Sequence, residues 1–156
     1  MDQFKCVITT SLTENVWTCS GPLNELAVLP VIDKSKPLSI NMKKVTLVNS
    51  YGIRIWCKWI QENKDFKDLI LEECPYIFVN NFNIINGFIT NLITINSFYV
   101  PFFSEDSQER KDVLFHLGAD YQFNGFLRIP DVKDSKGEYM EMDVNPIKYF
   151  SFLKRR

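Results

Sequence analysis

The sequence predicts an α/β fold: a mixed sheet of about four or five strands with helices packed on it, and a small C-terminal appendage. Three observations lead there. Two alternating segments near the start read as a hairpin. Strand-like and helix-period runs then follow one another in the order β β α β α β α β. After residue 103 the composition turns polar, and the chain later closes on large apolar residues. The expected division is a sheet domain over residues 1–103 and an appendage docked on it over 104–156.

Residues 4–10 alternate loosely and residues 15–20 more cleanly, with Val16 and Thr18 on one face and Trp17 and Cys19 on the other. Residues 11–14 make a tight connection between them. Gly21-Pro22 reads as a breaker. Leu23, Leu26 and Ala27 then suggest a short amphipathic helix that Pro30 ends. Residues 37–42 read as a strand leading into residues 45–48, a second apolar run. At Asn49-Ser50-Tyr51-Gly52 the pattern changes period. Ile53, Trp56, Cys57 and Ile60 recur at i, i+3, i+4 and i+7, so a helix is expected over about residues 50–63. Arg54, Lys58 and Gln61 take its opposite face, Trp59 sits partly exposed beside Trp56, and Ser50 falls at the expected N-cap.

A short buried strand is expected at residues 69–71. A helix follows Cys74-Pro75, where proline suits the first turn, with Ile77, Asn81, Ile84, Ile85 and Phe88 on one face. Residues 94–103 read as one strand, with Pro101 at an edge or near its end. Beyond it, residues 112–117 continue a helix that Gly118 stops. Residues 126–130 precede a polar turn at 131–137, and residues 139–143 pair back as a strand. Tyr149, Phe150, Phe152 and Leu153 end the chain and must pack on something.

With 46% hydrophobic and 14% aromatic residues the chain can bury an ordinary core. Its net charge of −1 argues against nucleic acid or a membrane surface as partner. The one basic run, Lys154-Arg155-Arg156, is too short to change that. No apolar run approaches the length of about 20 residues that spans a bilayer, and the N-terminus lacks signal-peptide character. Cys6, Cys19, Cys57 and Cys74 form no CxxC pair and read as reduced thiols, so a cytoplasmic, bacterial-type protein is expected. His116 has no oriented partner in sequence, and neither GxxxxGK[ST] nor GxGxxG occurs. The pairs Glu72-Glu73 and Glu105-Asp106 read as solvated faces. No catalytic residue, metal or cofactor is expected.

The segments SGPLNEL (residues 20–26) and LSINMKKVTLVNSYGIRIW (residues 38–56) resemble the STAS domain of bacterial anti-sigma-factor antagonists. In that family a D-S-[ST]-G turn opens a long helix, and Asn49-Ser50-Tyr51-Gly52 matches it. The likeness spans residues 4–103 in element order and about twenty residues in detail. It implies a non-enzymatic protein–protein switch in which Ser50 is the phosphorylated position and the partner is an anti-sigma kinase or related regulator. Asn49 stands where the family has an acidic residue, and Tyr51 where it has a small hydroxyl residue. Gly21, Asn24, Asn49, Tyr51, Arg54 and Lys58 are then the expected contact residues. The rival expectation is a ligand-sensing or structural module that has lost the switch and forms a homodimer through Phe98, Tyr99, Val100, Phe102 and Phe103.

The tail, SFYVPFFSEDSQERKDVLF followed by a polar turn and YMEMD…YFSFL, resembles a zinc ribbon without its cysteines. Ser104 and Ser107 hold the spacing of one ligand pair, and neutral hydroxyls are poor zinc ligands. The expectation is a degenerate ribbon that keeps its shape through Phe102, Phe103, Tyr149, Phe150 and Phe152.

Overall fold

The computed structural model describes residues 2–154; Arg155 and Arg156 of the terminal basic run lie outside the described residues. Strands β1 (Lys5–Thr10) and β2 (Asn15–Leu23) form the expected antiparallel hairpin, with Cys6 opposite Cys19 and Thr10 opposite Asn15. The expected alternation holds: Asn15, Trp17 and Cys19 are buried, whereas Val16 and Thr18 are half-buried. Two expectations fail here. Cys6 and Cys19 are joined as a disulfide, so these two of the four cysteines are not reduced thiols. Gly21-Pro22 does not break the strand either. A register shift between Gly21 and Pro22 absorbs the proline within β2, with Gly21 at φ +84°.

The helix expected after Leu23 is absent. Asn24 closes a turn by accepting the Leu26 N–H on its side chain (3.0 Å) and the Ala27 N–H on its carbonyl (3.0 Å). The chain then runs irregularly to residue 37, plugging Ala27 and Ile32 into the core. The indole N–H of Trp59 holds this segment through the Pro30 carbonyl (3.0 Å). Trp59 is therefore buried rather than partly exposed.

Strand β3 (Leu38–Val48) merges the two predicted apolar runs and lies parallel to β2. Helix α1 (Ser50–Glu62) follows, burying Gly52, Trp56, Trp59 and Ile60. Next come β4 (Leu69–Glu72), α2 (Tyr76–Ile84) and β5 (Ile93–Ile95), and the five strands stand in the order β1-β2-β3-β4-β5, parallel from β2 onward. Both helices cover the same face, since the Trp56 ring meets the edge of Phe78 at 5.1 Å. Phe88 packs on both rings, and the Trp56 indole donates to its carbonyl (2.6 Å). Helix α2 buries Phe78, Val79 and Phe82, not the expected Ile77–Ile84 face. The larger aromatic volume turns inward, leaving Ile84 exposed.

The predicted strand over 94–103 is two strands in two sheets. After β5 the chain turns at Asn96, and β6 (Ser97–Phe103) enters a three-stranded antiparallel sheet in the order β7-β6-β8. Strand β7 (Arg110–His116) occupies the predicted helix of 112–117. A six-residue, largely apolar run such as DVLFHL is ambiguous between helix and strand by periodicity, and in-register pairing of all seven residues with β6, from Ser97↔His116 to Phe103↔Arg110, prevails over helix. Strand β8 (Glu141–Met142) pairs back as expected. Phe98, Val100 and Phe102 are buried and Tyr99 and Phe103 half-buried, so most of the apolar residues expected to form a homodimer surface are spent on the core. Helix α3 (Pro146–Tyr149) and a 3-10 turn (Ser151–Lys154) bury Tyr149, Phe150, Phe152 and Leu153 in the same core. The whole is a mixed, largely parallel sheet with helices packed on it and a small C-terminal appendage.

Candidate functional site

Helix α1 starts one residue earlier than a serine cap requires. Asn49, in extended backbone, is the N-cap: its Oδ1 accepts the Gly52 N–H at 2.9 Å and its carbonyl accepts the Ile53 N–H at 2.9 Å. Asn49 is also tied to the end of β2, donating its own N–H to the Leu23 carbonyl (3.2 Å). Its Nδ2 donates to Glu25 Oε2 at 3.1 Å. Ser50 is thus the first helical residue rather than the cap, and it is exposed. Helix geometry leaves the N–H groups of Ser50 and Tyr51 unspent at the positive end of the dipole.

Gly52 explains why this turn can sit so close to the sheet. A Cβ there would lie 1.8 Å from the Leu23 carbonyl oxygen, so only glycine lets α1 begin against the end of β2. Sequence position alone assigned Gly52 to the turn motif; its contact identifies a packing requirement.

Of the expected contact residues, Asn24, Asn49, Ser50, Tyr51 and Arg54 gather where β2 and β3 end. Tyr51 is 57% exposed, and the Arg54 guanidinium lies 6.0 Å from the centre of its ring. Arg54 stands one turn after Ser50, the spacing that places side chains on the same helix face. Glu25, which the sequence did not single out, joins them through Asn49. Its carboxyl is held below the usual range by its own backbone N–H and then by Asn49, so it carries charge. Two residues stand apart. Lys58 lies two turns along α1 from Ser50 and pairs with Glu62 (3.7 Å). Gly21 packs under the N-terminal segment, where a Cβ would meet the Gln3 carbonyl oxygen at 2.6 Å.

A second polar cluster escaped the sequence because its members are far apart in the chain. It lies where β4 ends and β6 begins. Glu73 accepts from Tyr99 Oη (2.6 Å) and Asn41 Nδ2 (3.0 Å) and pairs with Lys43 Nζ (3.2 Å). Glu72 accepts from Asn96 Nδ2 (2.7 Å) and Ser97 Oγ (2.9 Å). Glu72-Glu73 is therefore no freely solvated pair. The Tyr99 hydroxyl lowers the Glu73 pKa, and Tyr99 and Glu73 raise that of Lys43. Burial, then the bond to Glu73, raises that of Tyr99. Each shift reinforces the group's resting protonation state, which suits a structural clamp and leaves none of the three poised for proton transfer near neutrality.

The appendage carries the third cluster. Ser104 Oγ donates to Asp134 Oδ2 (2.8 Å), and Asp134 Oδ1 accepts the N–H groups of Lys136 (2.8 Å) and Glu138 (3.0 Å). The Ser104 hydroxyl, followed by that of Ser107, brings the Asp134 pKa to about 2. The two turns compared with ribbon knuckles thus meet on a hydrogen-bonded carboxylate. Among the described residues no group of three or more His, Cys, Asp or Glu is placed to hold a metal. His116 lies on β7, exposed, with Nδ1 3.7 Å from Asp120 Oδ2. An open cleft of about 420 Å³ lies over β6 and β7, lined by Tyr76, Pro101, Phe102, Arg110, Asp112 and Asp143, with Arg110 and Asp143 paired at 2.9 Å.

No helix among the described residues is long and apolar enough to cross a membrane. No protein-family model and no curated protein matches the chain. Fold and site together define a mixed α/β domain with Ser50 and Tyr51 exposed at the strand-to-helix turn of Asn49–Gly52.

Proposed function

We propose that this chain is a non-enzymatic regulatory module of the STAS type, acting by binding a protein partner and switched by phosphorylation at Ser50. One observation carries the reading: Asn49 takes over the capping role, which leaves the Ser50 hydroxyl exposed and free of a structural task. A phosphate there adds about −1.5 to −2 charge beside unspent helix N–H groups and one turn before Arg54. It also adds negative charge near Glu25, whose bond to Asn49 ties the loop after β2 to the switch turn. The two effects oppose each other across the turn. Attraction holds Arg54 over the helix start, and repulsion loosens the turn that follows Leu23. A partner contacting both elements reads the difference, with an anti-sigma kinase or related regulator as the class implied by the resemblance.

The test is affinity capture from the native host with wild type, Ser50→Ala and Ser50→Asp, together with mass spectrometry of the native protein. Phosphate on Ser50 is expected, with the same partner recovered by wild type and Ser50→Ala and reduced at least about tenfold with Ser50→Asp. Equal recovery by all three sinks the switch. A helix-start aspartate is stabilising by about 0.3–1 kcal/mol, so a raised melting temperature in Ser50→Asp separates lost binding from lost folding.

A further inference from the structure

Strand β1 lies at an edge of the first sheet, with β2 on one side only. Two observations fix which backbone groups face outward. The Ser11 N–H donates to the Glu14 carbonyl (2.9 Å), which makes 11↔14 a hydrogen-bonded pair and, by alternation, 9↔16, 7↔18 and 5↔20 as well. Independently, Cys6 and Cys19 stand 4.2 Å apart at Cα, close to the about 4.5 Å of a non-hydrogen-bonded pair and well short of the about 5.5 Å of a bonded one. Cys6, Ile8 and Thr10 therefore point their N–H and C=O groups away from β2.

Among the described residues no other edge of the two sheets is so open. At the far side of the first sheet, β5 has three residues. In the second sheet β8 has two, and β7 carries Arg110, Lys111 and Asp112 in succession. Short strands and charge are the usual guards against edge-to-edge pairing. Strand β1 reads KCVITT, with no proline, no bulge and no charge after Lys5. Val7 is 64% exposed and Ile8 49% exposed.

We infer that this edge joins a second copy of the chain, antiparallel, about a two-fold axis through Ile8. In that register Ile8 faces the partner's Ile8, and Cys6 faces the partner's Thr10. Each facing pair has its N–H and C=O directed at the other, so each exchanges both hydrogen bonds. Val7 then lies across from the partner's Thr9 and covers its exposed methyls, and the two copies of Lys5 fall at opposite ends. The pairing is isologous and closes as a dimer. The Cys6–Cys19 bond steadies the template by locking β1 to β2. This inference stands independently of the Ser50 switch, because it uses neither the turn nor its loop.

The experiment is sedimentation equilibrium of the full chain, disulfide intact, from micromolar to submillimolar concentration. Wild type is expected to dimerise. Ile8→Pro removes an outward N–H and no intrachain ladder bond, so it is expected to be monomeric and to keep the melting temperature that wild type shows at concentrations where it too is monomeric. Ile8→Lys and Ile8→Glu are each expected to be monomeric, and an equimolar mixture of the two is expected to restore a dimer with one copy of each. A wild type that stays monomeric at the highest concentration overturns the inference. So does a dimer that survives both Ile8→Pro and Ile8→Lys, or a charge-swapped mixture that fails to pair.

Discussion

An alanine at Gly52 would gain about 1 kcal/mol of helix propensity over glycine, yet its Cβ would sit 1.8 Å from the Leu23 carbonyl oxygen and 2.4 Å from its carbon. Both obstacles are backbone, so relief requires moving α1 off the end of β2 and breaking the Asn49–Leu23 bond. Overpacking of this kind outweighs propensity, and Gly52→Ala is expected to lose at least about 2 kcal/mol net. A urea titration checks it; a midpoint at or above wild type would show that the helix start can shift freely. Asp134 makes a pH-dependent statement at the same scale. Its folded pKa of about 2 lies below the ordinary 3.8, so its stabilisation is complete above the ordinary value and is lost as pH falls through about 2. Other depressed carboxylates share the acid limb, so the difference between wild type and Asp134→Asn isolates this one. Melting temperatures from about pH 5 to 2 should fall more gently in Asp134→Asn than in wild type. Parallel curves would mean that the Ser104 bond contributes nothing.

Among the elements, what was legible followed from periodicity. The N-terminal hairpin, α1 and the short buried strand expected at 69–71 and found at Leu69–Glu72 read directly from the sequence pattern, because each packs against neighbours in the order in which the chain visits them. The hairpin disulfide was legible too and was missed. A connection of residues 11–14 places Thr10 opposite Asn15, and counting outward puts Cys6 opposite Cys19. Absence of a CxxC spacing says nothing about cysteines facing each other across a hairpin. Their bond closes a loop with a sequence separation of 13, worth about 3 kcal/mol in the chain-entropy account. Reduction is therefore expected to lower the urea midpoint substantially, and Cys6→Ser/Cys19→Ser should match the reduced wild type. An unchanged midpoint would mean that the ladder alone holds the hairpin. Cys57 and Cys74 should not confuse the comparison, since burial raises both thiols and Cys74 is fully enclosed. The turn at Asn49–Gly52 was half legible: motif spacing located it, but the cap fell on Asn49 because its carboxamide already bridges Gly52 and Glu25. The strand at 110–116 and the break at Asn96 were not legible, since both depend on pairing partners that only the three-dimensional chain supplies. The same holds for the cluster joining Asn41, Lys43, Glu73 and Tyr99.

Across the whole molecule, the turn at Asn96 matters more than the change in composition after residue 103. Strand β6 leaves the first sheet's company but not its core: the Cys74 N–H donates to the Ser97 carbonyl (3.1 Å), and the Tyr99 N–H to that of Cys74 (2.9 Å). The tail then closes the joint. Phe152 packs on Phe82 of α2 at 5.2 Å and on Phe98 of β6 at 5.2 Å, while Asn83 accepts the Phe152 N–H (2.9 Å). The Tyr149 hydroxyl reaches the Tyr99 carbonyl (2.6 Å). One hydrophobic cluster thus runs from Phe4 to Leu153, and two sheets sharing a core are expected to unfold together. Phe152→Ala, which empties the junction, should cost about 3–5 kcal/mol. All three tryptophans, Trp17, Trp56 and Trp59, belong to the first sheet and its helix, so their fluorescence reports on a region that Phe152 does not belong to. If the molecule is one cooperative unit, Phe152→Ala shifts the fluorescence midpoint and the far-UV circular dichroism midpoint in urea by the same amount. If the tail were a separate unit, the fluorescence transition would stay where it is in wild type while only part of the dichroism signal moved.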